Sequence, residues 1–370
     1  MKQGEITKMK KYKVVDLFAG CGGISKGFLN TGKVDLVGAI DFEPSACKTY
    51  KENFPNANVI CGDIREISVK STGFSNVDIM VGGPPCQGFS ALNRWEKEKD
   101  NDPRNRLFIE YLRFVDELRP KAIMIENVKQ ILTSKNGYAP KHIEEFLGER
   151  GYEVSFKILN AADFGVPQKR ERAIIVALRK EYGKFNFDVL EKYKLPKVTV
   201  EEAISDIEDI EEEAVKYEQG TVFELGKPQS EYQKKMQAKD SQLHNHLIYY
   251  PVQNVQEMIS YVPEGGNWRY VPKELFKSQR DNRHSNYLRR LESKSQSVTI
   301  DTGHNVYFHP HFKRVPTIRE SARIQSFPDD FIFLGNKGQQ FRQVGNAVPP
   351  LLAEAVAKGI MEVIEKNEEV

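Results

Sequence analysis

The sequence predicts an α/β fold: a doubly wound, mainly parallel sheet ending in an antiparallel strand pair, with a smaller irregular domain attached. Three observations predict it. Short apolar runs alternate with helix-like stretches through the first half of the chain, and a glycine-rich turn follows the first run. The alternation then stops near Lys180 and resumes only after Pro316. Parallel strands are covered on both faces, so they read as continuous apolar runs rather than as alternating ones.

The expected parallel strands are Val14–Phe18, Val34–Ile40, Val77–Val81 and Ala122–Ile125, each bounded by Gly, Asp or Pro. Ile24–Asn30, Pro44–Asn53 and Arg106–Leu118 are the expected helices between them. Tyr152–Leu159 and Arg172–Leu178 read as two strands with only a loop between them, which makes an antiparallel pair. Thr317–Gln325 is expected to be helical, Phe327-Pro328 to break it, and Leu351–Ile364 to form an amphipathic closing helix. The polar stretch between, with scattered aromatics and Gly265-Gly266, reads as a separate module.

At 370 residues, 39% hydrophobic and 29% charged, the chain is long enough for one large domain plus a module. It has no run of the roughly eighteen apolar residues that cross a bilayer. Met1 to Lys13 is polar and basic, without a signal-peptide core, so a cytoplasmic location is expected. The four cysteines (Cys21, Cys47, Cys61 and Cys86) form no CxxC pair, which suits a reducing compartment. Net charge is only +2, yet Trp268 to Arg314 concentrates Arg269, Lys273, Lys277, Arg280, Arg283, Arg289, Arg290, Lys294, Lys313 and Arg314. Such a local basic face suits phosphates, although solvated helices also carry one.

Two ends of the sheet carry chemistry. Val14 to Gly23 runs from a strand into the turn Gly20-Cys21-Gly22-Gly23 and then a helix, and Asp41 follows the second strand. Asp63 follows another short apolar stretch. Glycines permit close approach of a ligand, and an acid at a strand end can accept from ribose hydroxyls. A tight structural turn or an NAD site shares part of this pattern, but the third glycine of the dinucleotide fingerprint is missing. Gly82-Gly83-Pro84-Pro85-Cys86-Gln87-Gly88-Phe89-Ser90 holds a cysteine on a rigid loop at the next strand end, where ligands of such sheets bind. A cysteine is ordinarily a small buried hydrophobe, the reading that fits Cys21, Cys47 and Cys61. Glu126 ends the following strand, and Gln168–Arg172 precedes a later one, with Arg170 and Arg172 pointing to the same side by their i, i+2 spacing. A glutamate at a strand end is often a helix cap or a solvated residue. A thiolate, a carboxyl and arginines together nonetheless suit attack on carbon 6 of cytosine, with the carboxyl at N3 and the arginines at O2.

These segments, in order, resemble the cytosine-C5 DNA methyltransferases of bacterial restriction-modification type. The likeness includes Asp16–Gly23, Asp41–Phe54, Gly62-Asp63-Ile64, the Pro-Pro-Cys-Gln loop, Glu126-Asn127-Val128 and Gln168–Arg172. It continues through Arg319–Pro328 and Gln343–Pro349. The resemblance implies a Rossmann-like methyltransferase sheet and S-adenosylmethionine as cofactor, released as S-adenosylhomocysteine. Cys86 would be the nucleophile, Glu126 would contact the cytosine, and Arg172 with Arg170 would steady base and thiolate. Phe18, Gly20, Gly22, Gly23, Asp41, Phe42, Asp63, Ile64, Pro85, Leu107, Asn346 and Val348 would line the cofactor. Asp41 is a departure, since many members carry glutamate there.

The resemblance also implies a base flipped from duplex DNA, and a loop from Ser90 to Arg106 that closes over it. Gln87, Ser90, Arg104, Arg269, Arg280, Arg283, Arg289 and Arg290 would contact DNA, most of them at phosphates. On this reading residues 1–184 are the catalytic and cofactor-binding domain and 185–312 recognise the target. Residues 313–370 return to the catalytic domain. No metal is expected, because His304, His309 and His311 have no cysteine or acidic partner at ligand spacing. The chain is expected to act as a monomer, with a restriction endonuclease encoded separately. An RNA cytosine methyltransferase and a non-catalytic DNA-binding relic of the fold are the rival readings.

Overall fold

The computed structural model describes residues 11–85, 103–133, 138–210, 221, 225–239, 242–278, 282–302 and 307–369. Its centre is a seven-stranded sheet in the order β3-β2-β1-β4-β5-β7-β6. The strands are β1 (Tyr12–Leu17), β2 (Val34–Asp41), β3 (Asn58–Cys61), β4 (Ile79–Gly82), β5 (Ala122–Val128), β6 (Tyr152–Asn160) and β7 (Glu171–Arg179). All pairs are parallel except β5–β7 and β6–β7, so the sheet ends in the expected antiparallel arrangement.

The continuous apolar runs follow from burial on both faces. Along β7, Ala173, Ile175 and Ala177 belong to one core cluster, whereas Ile174, Val176 and Leu178 belong to the other. β5 divides in the same way, with Ile123 and Ile125 on one face and Ala122 and Met124 on the opposite one. One face is covered by α3 (Pro103–Leu118) and α5 (Tyr138–Glu149), with the short α4 (Gln130–Thr133) beside them. The other is covered by α1 (Gly23–Asn30), α2 (Pro44–Asn53) and the closing helix.

Helix α3 begins at Pro103, not at Arg106 as expected, because proline suits the first helical position, where its missing N–H costs nothing. Helix α5 was not expected; Pro140 falls in its first turn, where it is harmless. Beyond β7 the chain forms short pieces: α6 (Val200–Ile204), α7 (Glu231–Met236), α8 (Gln253–Ser260) and the two-residue strands β8 (Arg289–Arg290) and β9 (Tyr307–Phe308). Regular structure resumes with α9 (Ile318–Ile324), α10 (Lys337–Asn346) and α11 (Pro350–Glu368). Thr317 caps α9 in a capping box with Glu320.

Buried charges fasten α9 to the preceding module. Arg323 makes a bidentate bond to Asp329 and reaches Asp206 at 2.6 Å. Arg314 embraces both oxygens of Glu320 at 2.7 Å. Arg319 donates to the carbonyls of His244, Pro328 and Phe331. Each charge is hydrogen-bonded, as buried charges must be.

Among the described residues, no helix is long and apolar enough to cross a membrane. The strand order reverses between β1 and β4. The turn after β1 and the Gly83-Pro84-Pro85 segment after β4 therefore open at the same crevice, where doubly wound sheets hold ligands.

Candidate active site

The cofactor end is built around the turn from Phe18 to Gly23. Phe18 has φ 59°, an uncommon left-handed conformation for a residue with a side chain. Gly22 has φ 96°, and a Cβ there would stand 2.3 Å from the Phe54 ring; one on Gly23 would stand 2.3 Å from the Val348 carbonyl. Glycine is therefore required at both, and Val348 is packed directly on the turn. A Cβ on Gly20 would meet nothing within 4 Å, so the backbone faces open space there.

Asp41 holds this turn. Its Oδ2 accepts from Gly20 N–H at 2.7 Å and its Oδ1 from Glu43 N–H at 2.9 Å. Burial raises its pKa, opposed by those two N–H groups. Each carboxylate oxygen keeps a second lone pair for a ligand. Phe42 beside it is 73% exposed, an aromatic face without cover. Asp63 bonds Arg65 at 2.9 Å, which lowers its pKa to about 2, while Ile64 is buried. Leu107 on α3 packs against the core cluster to which Ile64 belongs; Asn346, at the end of α10, is exposed.

Asp16 was named in the sequence only as part of a motif. Its carboxyl is fully buried, with Oδ2 accepting from Ser25 at 2.6 Å and Oδ1 without a partner. Burial pushes its pKa up to about 7. A carboxyl whose folded pKa exceeds its unfolded one costs stability as pH rises between the two values. Asp16→Asn is accordingly expected to be the more stable protein at pH 8, by up to roughly 4 kcal/mol. The two should converge below about pH 4. Thermal unfolding across pH 4–8 measures this, and parallel wild-type and mutant curves would refute it.

At the reacting end, Glu126 lies at the end of β5 and Arg172 at the start of β7. Arg172 Nε meets Glu126 Oε1 at 2.8 Å, and Arg172 pairs with Val128 in the ladder. Burial raises the Glu126 pKa, with Arg172 and then Arg170 opposing it. A Cβ on Gly83 would stand 3.5 Å from Glu126 Oε2, so the loop after β4 passes over the carboxyl. Asn127 Nδ2 donates to the Pro84 carbonyl at 2.9 Å and ties this loop to β5, a role that sequence reasoning missed. Pro85 is the last described residue of the loop; Cys86, Gln87 and Ser90 lie outside the described residues.

Arg170 adds its charge near Arg172 and Glu126, but its hydrogen bonds run elsewhere. It is 1% exposed, precedes β7, and donates to the carbonyls of Ile300 at 3.1 Å and Gly345 at 2.8 Å. Burial lowers its pKa to about 9. Gln168 donates to Gln325, which donates to the Val344 carbonyl at 2.7 Å. These polar pins fix the segment that leads to Asn346 and Val348, so they join the reacting strand to the wall of the cofactor turn.

The family profile of the C-5 cytosine-specific DNA methylases matches residues 12–362. The chain belongs to this family. The chain is therefore a DNA cytosine-C5 methyltransferase. It is 36% identical over 352 residues to the type II methyltransferase M1.HphI of Haemophilus parahaemolyticus, covering 94% of this chain and 86% of that protein. It is 35% identical over 373 residues to M.DdeI of Desulfomicrobium norvegicum, covering 94% and 88%. A prophage-encoded chain of Escherichia coli, described as a DNA modification methyltransferase, superposes with TM-score 0.77 at 25% identity, covering 96% of this chain and 100% of that one.

In this methylase the basic segment is partly self-satisfied. Arg283 stacks on Phe276 at 3.9 Å, and Arg269, exposed, lies 5.2 Å from the Trp268 ring centre. These residues, with Lys273, line a cavity of about 260 Å³. Arg289 and Arg290 are half-buried in β8; burial lowers the Arg290 pKa and the nearby Glu264 opposes it. Arg104 falls in α3, not in a loop, and Arg280 lies outside the described residues.

The methylase's histidines need a correction. The fold brings Glu208 to His309 and His311, and all three offer ligand atoms within 4.8 Å, a partner that sequence spacing concealed. His304 lies outside the described residues. His309 Nδ1, however, accepts from the backbone N–H groups of His311 and Phe312. The neutral ring therefore carries its proton on Nε2, which lies 3.4 Å from Glu208 and 3.6 Å from Glu320 but makes no hydrogen bond to either.

Proposed function

We propose that this methylase transfers a methyl group from S-adenosylmethionine to carbon 5 of a cytosine flipped out of a specific duplex DNA sequence, with Cys86 as covalent nucleophile. The observation that carries the reading is the buried Glu126 carboxyl, kept easy to protonate and oriented by Arg172 under the loop that leads into Cys86.

The crevice suits the cofactor: open backbone at Gly20, acceptor capacity on Asp41, the bare Phe42 ring for an adenine, and the unpartnered Asp16 oxygen near the turn. S-adenosylmethionine, when bound, supplies an electrophilic methyl. The chain's own groups make carbon 5 reactive. The Cys86 thiolate adds to carbon 6 while Glu126 gives a proton to N3, so the ring electrons collect at carbon 5. Arg172 holds Glu126 and faces O2 of the base. Arg170 adds positive charge near Glu126 and fixes the Gly345 segment. After transfer the carbon-5 proton is lost and the thiol is eliminated.

Residues 185–312 are proposed to recognise the sequence, with Arg269, Arg283 and Arg289 at phosphates or guanine edges. The type II relatives support an enzyme that protects host DNA from a separately encoded endonuclease, and it is proposed to act as a monomer. Incubation with tritiated S-adenosylmethionine should label duplex DNA and leave tRNA unlabelled, and bisulfite sequencing should place the mark in one sequence context. Label in tRNA alone would overturn the choice of substrate.

A further inference from the structure

Cys47 and Cys61 converge on one residue, Asp41. Cys61 ends β3 directly opposite Asp41 in the β2–β3 ladder, and its thiol is exposed. Cys47 lies on α2, buried, and its S–H donates to the Asp41 carbonyl at 3.3 Å. Helix α2 packs on β3, and after burial the Cys61 side chain does most to hold the Cys47 thiol protonated. Phe42, next after β2, and Asp63 and Ile64, just past Cys61, are those expected around the adenine.

We propose that the pair is a thiol modification site that closes into a disulfide when the protein meets a low-molecular-weight disulfide. The exposed Cys61 thiolate attacks the small disulfide and expels one thiolate, forming a mixed disulfide. The Cys47 sulfur then attacks Cys61 sulfur, loses its proton to solvent and expels the second thiolate. Two protein thiols lose two electrons in all, and the small disulfide becomes two thiols. A disulfide sulfur carries no proton, so the Cys47–Asp41 hydrogen bond disappears as the new bond forms. Asp41 then loses the link between its backbone and α2, next to the carboxylate that organises Gly20. Cofactor binding weakens as a result, a consequence that rests on the cofactor reading above.

The test uses the Cys86→Ser protein, which keeps the proposed nucleophile out of the thiol chemistry. After treatment with oxidised glutathione, alkylation and peptide mass mapping should find Cys47 joined to Cys61. Calorimetry should then show S-adenosylhomocysteine bound roughly tenfold more weakly, the worth of about one hydrogen bond. Dithiothreitol should restore the affinity, and a further Cys61→Ser change should make it insensitive to oxidant. Glutathione on Cys61 with no linked peptide would overturn the pairing. A linked peptide with unchanged affinity would overturn its effect on binding. If the reduced protein binds no S-adenosylhomocysteine, the cofactor reading fails, while the peptide map still decides the pairing.

Discussion

Cys86→Ser is expected to lower methyl transfer to duplex DNA by at least about 10⁴-fold, the scale seen when a covalent nucleophile is removed. Binding of S-adenosylhomocysteine should persist, because Gly20, Asp41 and Phe42 are untouched. Sulfur attacks as its thiolate, which is appreciably populated near neutral pH, whereas a serine hydroxyl has no comparable anion. A duplex carrying 5-fluorocytosine gives the sharper readout. Fluorine cannot leave as a proton does, so addition and methylation should strand the wild-type protein on the DNA. The complex should survive denaturing electrophoresis, and Cys86→Ser should form none. Trapping by the serine variant would reassign the nucleophile.

Much of the fold is legible in the sequence because parallel strands have nowhere to expose a polar residue. Val14, Val15 and Leu17, and Ile79 to Val81, divide between the two core clusters for that reason, with Asp16 the buried polar exception. Helix α10 escaped notice because Lys337-Gly338-Gln339-Gln340 is polar; its start depends on a capping box between Asn336 and Gln339. That Glu126 and Arg172 meet was legible because both lie near strand ends that open on one crevice. Arg170, which precedes β7, brings its charge to bear on Glu126, but the hydrogen bonds that hold it were not legible. Its partners, Ile300 and Gly345, are 130 and 175 positions away, and nothing local announces them. Asp41 likewise shows an acid at a strand end but not its grip on Gly20 N–H, and the Glu208–His309 meeting depends wholly on the fold.

Glu126→Gln is the second change expected to be severe: kcat should fall by about 10²–10³-fold, within the range for a general acid or a single charge-stabilising donor. The amide can still donate to a ring nitrogen, so the base should bind and KM for DNA should move little. What is lost is a proton that can be given up as the thiol adds. The pH dependence separates this from mere packing damage. Burial raises the Glu126 pKa above its ordinary value, and Arg172 and Arg170 pull it back. A group that must be protonated to act gives a rate that falls as pH climbs through its folded pKa. In wild type that limb lies above the usual carboxylate range; in Glu126→Gln it should vanish. Arg172→Met removes the nearer cation, so the limb should move to higher pH while the rate drops from lost orientation. A wild-type limb that survives in Glu126→Gln belongs to another group, and Glu126 would then be a partner of Arg172 rather than the acid at N3.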